Sequence, residues 1–348
     1  FPDLQKLSNL LSDLNSYSSK HMMEYDFPRI LSGFKQFHEK GYREYSEKQW
    51  LPILFTCMLY INDEEELAIR TNASHTFCKF IDYLNEKPSP ADAEEAIKIL
   101  KRIILPQLRV GLRRTSESIQ AEHISVLSYI ISTGKYFTDL EDLRVLLYNG
   151  DVEANFFANV VHIQLHRRLR AVRRLREHGH ELTGSSISNY LIPIVEHYVF
   201  SKEEKFRNIG NEVLVTIGVL ANFMSWGQYK GLLRRYISFL KARPDDLKES
   251  VNLITQLSSA LKNSLCYCRH KFNSQLVLRN FPTELEEPDN FVTQDIYPKL
   301  TSVLQARDNE TVARIPLSEA LVNFVIGLDE AKLVSLLPGT PVSYTHLR

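Results

Sequence analysis

Ile119-Gln-Ala-Glu-His123-Ile124-Ser-Val-Leu127-Ser-Tyr-Ile130-Ile131 repeats its core-facing groups at steps of three and four residues, the spacing that lines one face of an α-helix. The same rhythm opens the chain at Leu4, Leu7, Leu11 and Leu14 and continues along its length. Alternating strand patterns closed by hairpin turns are absent. The single Asn-Gly pair, Asn149-Gly150, separates two helical segments and precedes Asp151, a residue suited to capping a helix. The expectation is an all-α chain with no sheet.

Stop and start signals, among them Pro28, Gly41, Pro52, Gly111, Gly134, Gly150, Gly227 and Pro244, divide the chain into about fifteen helices, or about seven pairs at the 40 to 47 residues of a HEAT-type repeat. A local pattern returns in divergent copies: Trp50-Leu-Pro52-Ile-Leu54, Leu105-Pro106-Gln-Leu108, Leu191-Ile-Pro193-Ile194 and Ile296-Tyr-Pro298-Lys-Leu300. Each is read as a proline near a helix start, where its missing N–H costs little. A helix pair cannot bury its apolar face alone, so the pairs must stack as a HEAT/armadillo-like α-solenoid. The expected organisation is helical repeats over 1–268, an exposed loop or insertion over 269–290, a further repeat over 291–339, and a tail at 340–348 that loses the apolar rhythm and reads as non-native. Pro282, Glu284, Glu286, Glu287 and Pro288 carry the loop reading.

Composition agrees. With 44% hydrophobic and 24% charged residues the chain is not of disordered type, and 348 residues exceed the ~250 to 300 at which a single core stops growing. Forty-two Lys and Arg balance forty-two Asp and Glu, so no global field draws the chain to a polyanion and any nucleic-acid contact must be local. Four cysteines without framework spacing fit a reducing, intracellular setting. No apolar run approaches the roughly 20 residues of a membrane span, so no membrane partner is expected. The start at Phe1 reads as that of an internal part of a larger protein.

The sharpest local feature is Val161-His162-Ile-Gln-Leu165-His166-Arg167-Arg168-Leu169-Arg170-Ala-Val172-Arg173-Arg174-Leu-Arg176-Glu-His178. At 100° per residue Leu165, Leu169 and Val172 share one stripe, Arg167, Arg170 and Arg174 lie opposite, and Arg168 and Arg173 flank them. Arginine is the residue of planar, bidentate phosphate or carboxylate recognition. His162, His166, Arg167, Arg168, Arg170, Arg173 and Arg174 are therefore candidate contacts to RNA or to an acidic partner. The other reading is a helix face whose arginines pair with acids on neighbouring helices.

His162 and His166 stand i, i+4 but lack the Glu of a His-Glu-x-x-His metal helix, and Cys266-Tyr-Cys268-Arg-His270 has no second ligand pair, so no metal is expected. Glycine-rich phosphate loops, nucleophile elbows and catalytic triads are missing. No enzymatic activity, cofactor or small-molecule substrate follows.

The run Asp151-Val-Glu153-Ala-Asn-Phe156-Phe157-Ala-Asn159, continuing through His162-Ile-Gln164-Leu-His166-Arg167-Arg168-Leu-Arg170-Ala171, resembles a signature of the DRIM (down-regulated in metastasis) family of very large HEAT-repeat proteins. Ser188-Asn189-Tyr190-Leu-Ile-Pro193, Met224-Ser225-Trp226 with Tyr229, Asp295-Ile296 with Pro298 and Leu300, and Val312-Ala-Arg314-Ile-Pro316-Leu317 extend the resemblance, which covers Leu4 to Leu337. The family's long acidic insertion is shortened here to the loop around Glu284 to Asp289.

The resemblance implies a nucleolar, non-catalytic scaffold of ribosome biogenesis. It would belong to the small-subunit processome and serve rRNA processing to 18S rRNA. Its implied partners are pre-ribosomal RNA, the small nucleolar RNP and other assembly proteins. The alternative is a karyopherin-like or other transport solenoid that binds protein cargo.

Overall fold

The computed structural model describes residues 2–19, 24–39, 41–270, 277–305 and 311–336. The tail expected at 340–348 lies outside the described residues. Among them the structure is helical, with only two isolated bridges, Tyr17 to Tyr25 and Ser225 to Arg279, in place of strands. None of these helices is long and apolar enough to cross a membrane.

The chain forms two compact units. The first holds residues 1–171 and 189–197, the second 172–188 and 198–348.

In the first unit α1 (Pro2–Leu14), α2 (Phe27–Glu39), α3 (Glu47–Tyr60) and α4 (Leu67–Asn85) are followed by α5 (Glu94–Ile99), α6 (Leu105–Gly111) and α7 (Glu117–Thr133). α3 packs on α4 and α6 on α7, while α2, α4 and α7 form a continuous inner row. That is stacked-pair packing, in which the second helix of one pair meets the second helix of the next. Trp50, fully buried, anchors the row: its ring lies 5.1 Å from Phe37 and 5.2 Å from Phe80, both edge to face.

The second unit repeats the plan. After α8 (Phe156–Val160), α9 (Leu165–Glu177), α10 (Gly184–Ser186) and α11 (Ile192–Phe200), it contains α12 (Arg207–Ala221), α13 (Trp226–Ala242), α14 (Leu247–His270), α15 (Glu286–Asn290), α16 (Tyr297–Gln305), α17 (Thr311–Val325) and α18 (Glu330–Leu336). α12, α14 and α17 make its inner row, with α13 and α16 packed outside α14 and α17.

Three of the recurrent prolines, Pro106, Pro193 and Pro298, are the second residues of α-helices, as expected, but each of those helices continues directly from a π-helical turn. Pro52 lies inside α3, and Pro106, Pro193 and Pro298 each stand two residues beyond a π-helical turn, at Leu100–Ile104, Ile187–Leu191 and Phe291–Ile296. A proline in an α-helix clashes with the carbonyl four residues back and cannot donate to it. The wider π turn lets the helix carry that proline without breaking. The pattern therefore marks helix interiors that continue, which is why Glu94–Gly111 and Glu286–Gln305 run as single rods.

Within the stretch expected as an exposed loop, 271–276 lie outside the described residues, but Leu278 is buried and Arg279 is held. Trp226 N–H donates to the Arg279 carbonyl at 3.1 Å and Arg279 N–H to that of Met224 at 3.0 Å. The Arg279 guanidinium donates to the carbonyls of Leu182 and His180. Ser225 caps α13 in a reciprocal box with Gln228, which fixes the Met224 to Tyr229 element as the clamp.

Three buried or nearly buried histidines make the first unit acid-sensitive. Burial lowers His38 to about 3, helped by the nearby charges of His75 and Lys79, and burial likewise lowers His123 and His197. All three are neutral when folded, whereas the unfolded chain takes up their protons below about pH 6.5. Their stabilisation is thus complete above that pH and drains away as pH falls toward the folded values. Unfolding midpoints measured downward from neutrality should drop below about pH 6.5. A midpoint constant to pH 4 would refute this burial.

Candidate nucleic-acid interface

The basic segment is preceded by a sharp turn. Tyr148, Asn149 and Gly150 take successive left-handed conformations (φ 51°, 53° and 87°), which reverses the chain at the Asn-Gly pair. Asp151 accepts the Glu153 N–H at 2.9 Å, but the residue that caps the next helix, α8 (Phe156–Val160), is Asn155, whose side chain accepts from Ala158 N–H. Phe156 and Phe157 are buried edge to face, 5.2 Å apart. Asn159, also buried, donates to the carbonyls of Val152 and Asn155. Much of the family-like signature is thus a small self-supporting turn.

α9 (Leu165–Glu177) follows, and its inward face is not the one expected. Arg168, Ala171, Val172 and Leu175 are buried, while Leu165 and Leu169 are half-buried. The interior stripe is rotated because Arg168 turns inward: at 7% exposure it pairs with Glu117, the first residue of α7, and donates to the His162 carbonyl at 2.5 Å and that of Val161 at 3.4 Å. Its donors are occupied inside the protein. Of the candidates, Arg168 is corrected from surface contact to internal tie.

The other candidates divide. Arg167 pairs with Glu153, and its Nη1 lies 3.1 Å from His162 Nε2, while Gln164 N–H donates to His162 Nδ1. Arg173 and Arg176 grip one carboxylate, Glu212, at 3.0 and 2.7 Å. Arg174 is half-buried. His166 and Arg170, one helical turn apart, are exposed, and no ion pair joins them to the described residues. The pairing of arginines with acids on neighbouring elements, the second reading of this helix, accounts for Arg167, Arg168 and Arg173.

Among the described residues no three His, Cys, Asp or Glu side chains gather to hold a metal; Cys57 is buried, Cys268 exposed, and Cys78 and Cys266 lie between. The sequence reading passed over Arg235, Phe239 and Arg243. Their four-residue spacing was a legible signal, but the ring that joins them, Phe200, comes from α11 (Ile192–Phe200).

Residues 1–116 match the family model described as U3 small nucleolar RNA-associated protein 20, N-terminal. The U3 small nucleolar RNA-associated protein 20 of Saccharomyces cerevisiae is 56% identical over 338 residues, 97% of this chain. The chain belongs to this family. The protein of the same description from Schizosaccharomyces pombe is 32% identical over 355 residues, 98% of the chain. The chain spans 14% of the length of each of these relatives. Two engineered proteins of known crystal structure align at TM-scores of 0.26 and 0.23 with 13% and 14% identity, over 79% and 93% of this chain and 97% and 89% of theirs, likenesses too low to bear on the fold. The family resemblance read from the basic segment therefore holds. The transport-solenoid alternative loses its support, because the matching relatives are named for association with U3 small nucleolar RNA.

Proposed function

We propose that this chain is a non-catalytic stretch of a ribosome-biogenesis scaffold, acting in the small-subunit processome of the nucleolus and holding pre-ribosomal RNA, the U3 small nucleolar RNP and other assembly proteins. The observation that carries the reading is the 56% identity across 97% of the chain to a relative named for that RNA. Helix pairs stacked in rows offer extended surface for such partners.

At the level of residues, His166 and Arg170 are the part of the basic segment left to meet phosphate, with Arg173 partly exposed but committed to Glu212. Arg167 and Arg168 hold the turn that presents them.

Crosslinking of RNA to the protein in cells tests the scaffold. Crosslinks from this chain to precursor ribosomal or U3 RNA are expected, and Arg170→Glu should loosen association with pre-ribosomal particles in gradients while helicity stays intact. Crosslinks confined to protein cargo, with none on precursor RNA, would overturn the reading.

A further inference from the structure

Of the 14 residues of α3, Lys48, Phe55 and Leu59 are the exposed ones. Phe55 is 57% exposed and Leu59 69%. A lone apolar side chain on a surface is ordinary, but these belong to a stripe. At 100° per residue Lys48, Pro52, Phe55 and Leu59 fall within about 60° of one another, at steps of four, three and four residues. α13, which likewise packs outside an inner row, turns Arg234, Ser238 and Lys241 to solvent instead. The outer face of α3 is apolar where a solvated helix carries charge.

The stripe runs between opposite charges. Lys48 stands at its start, and beyond its end the turn before α4 carries Glu64 and Glu65, both exposed. That turn is fixed: the Asp63 carboxylate accepts the N–H of Glu65 at 3.0 Å and of Glu66 at 2.8 Å, and Arg70 donates to the Asp63 carbonyl at 2.7 Å. No ion pair joins Lys48, Glu64 or Glu65 to the described residues. Acids ahead of α4 complement its N-terminal dipole, which accounts for the glutamates. It does not account for the exposed phenylalanine and leucine that lead to them.

We propose that this face of the first unit docks an amphipathic helix of another assembly protein, its apolar residues laid over Pro52, Phe55 and Leu59 and its basic end at Glu64 and Glu65. A helical ridge with anchors at three and four residue steps is matched by the same spacing on a partner helix. The two unpaired glutamates select a basic end and repel an acidic one. They also repel phosphate, and the stripe offers a base one ring and no donors, which favours protein over RNA. From Pro52 to Leu59 the stripe is ~11 Å long, enough for a few anchors of one helix and far less than a stable pair of folded chains buries. The inference rests on the scaffold reading and adds to it a surface and the chemistry of one protein partner.

The test is fluorescence anisotropy of the 348-residue chain with a labelled amphipathic peptide that carries leucines on one face and lysines beside them, the same peptide with glutamate for every lysine, and a short oligouridine. The lysine peptide should bind tightest. Phe55→Gln with Leu59→Gln should weaken it about tenfold. Both side chains are exposed and glutamine is a good helix former, so the thermal midpoint should not fall. Glu64→Gln with Glu65→Gln should abolish the preference for lysine over glutamate while the apolar contribution persists. Equal affinity for the glutamate peptide, tighter binding of oligouridine, an unaffected Phe55 and Leu59 variant, or sedimentation as a dimer that this variant abolishes would each overturn the site. Crosslinks to precursor RNA in cells, alongside any of those results, would leave the scaffold reading standing, and peptide binding without such crosslinks would leave the docking face standing alone.

Discussion

Arg168→Ala should destabilise the first unit by about 2–3 kcal/mol, whereas Arg170→Ala, two residues on, should change stability by less than about 0.5 kcal/mol. Arg168 is buried against Glu117 and two backbone carbonyls; its loss strands those acceptors and opens the turn over Phe156 and Phe157. The expected loss falls at or below the low end of the fully buried range, because the Glu117 side chain is 37% exposed and keeps part of its water. Denaturant unfolding of both variants measures the contrast. If Arg168→Ala were as stable as Arg170→Ala yet lost RNA binding, Arg168 would return to the set of phosphate contacts.

Gly111→Ala should cost about 3 kcal/mol. Gly111 ends α6, and an added Cβ there would fall within the imidazole ring of His123 on α7, far inside any van der Waals contact. The ring cannot swing aside: it is fully buried, and its Nδ1 donates to the Ile119 carbonyl at 2.9 Å. Pairing Gly111→Ala with His123→Ala should restore part of the loss, a coupling that a double-mutant cycle reads directly. Additive losses would mean that the two helices do not approach as described.

Both results turn on features legible in the sequence only as types. Gly111 read as a helix stop, which it is, but the closeness of His123 depends on how α6 and α7 pack. Similarly, Arg168 and Arg170 are identical side chains on one helix, and periodicity from the leucines placed Arg168 at a flank. Its long apolar stem and the waiting Glu117 turned it inward instead.

The recurrent prolines teach the same lesson at the level of backbone. A proline after apolar residues looks like a helix beginning unless the preceding turn can widen, and widening by one residue leaves no mark in composition. The clamp of Met224 to Tyr229 on Arg279 was likewise visible as a motif and silent as a contact, because its partner lies some fifty residues away.

What the chain's order of residues settled by itself was local: the three-and-four spacing of apolar groups allows only helices, their number and length demand that pairs stack, and the signature around Phe156 and Arg168 names the family. Which charges remain for a ligand was decided in three dimensions. An arginine's availability depends on whether an acid or a carbonyl from another element reaches it first, and that distance exists only once the helices have packed.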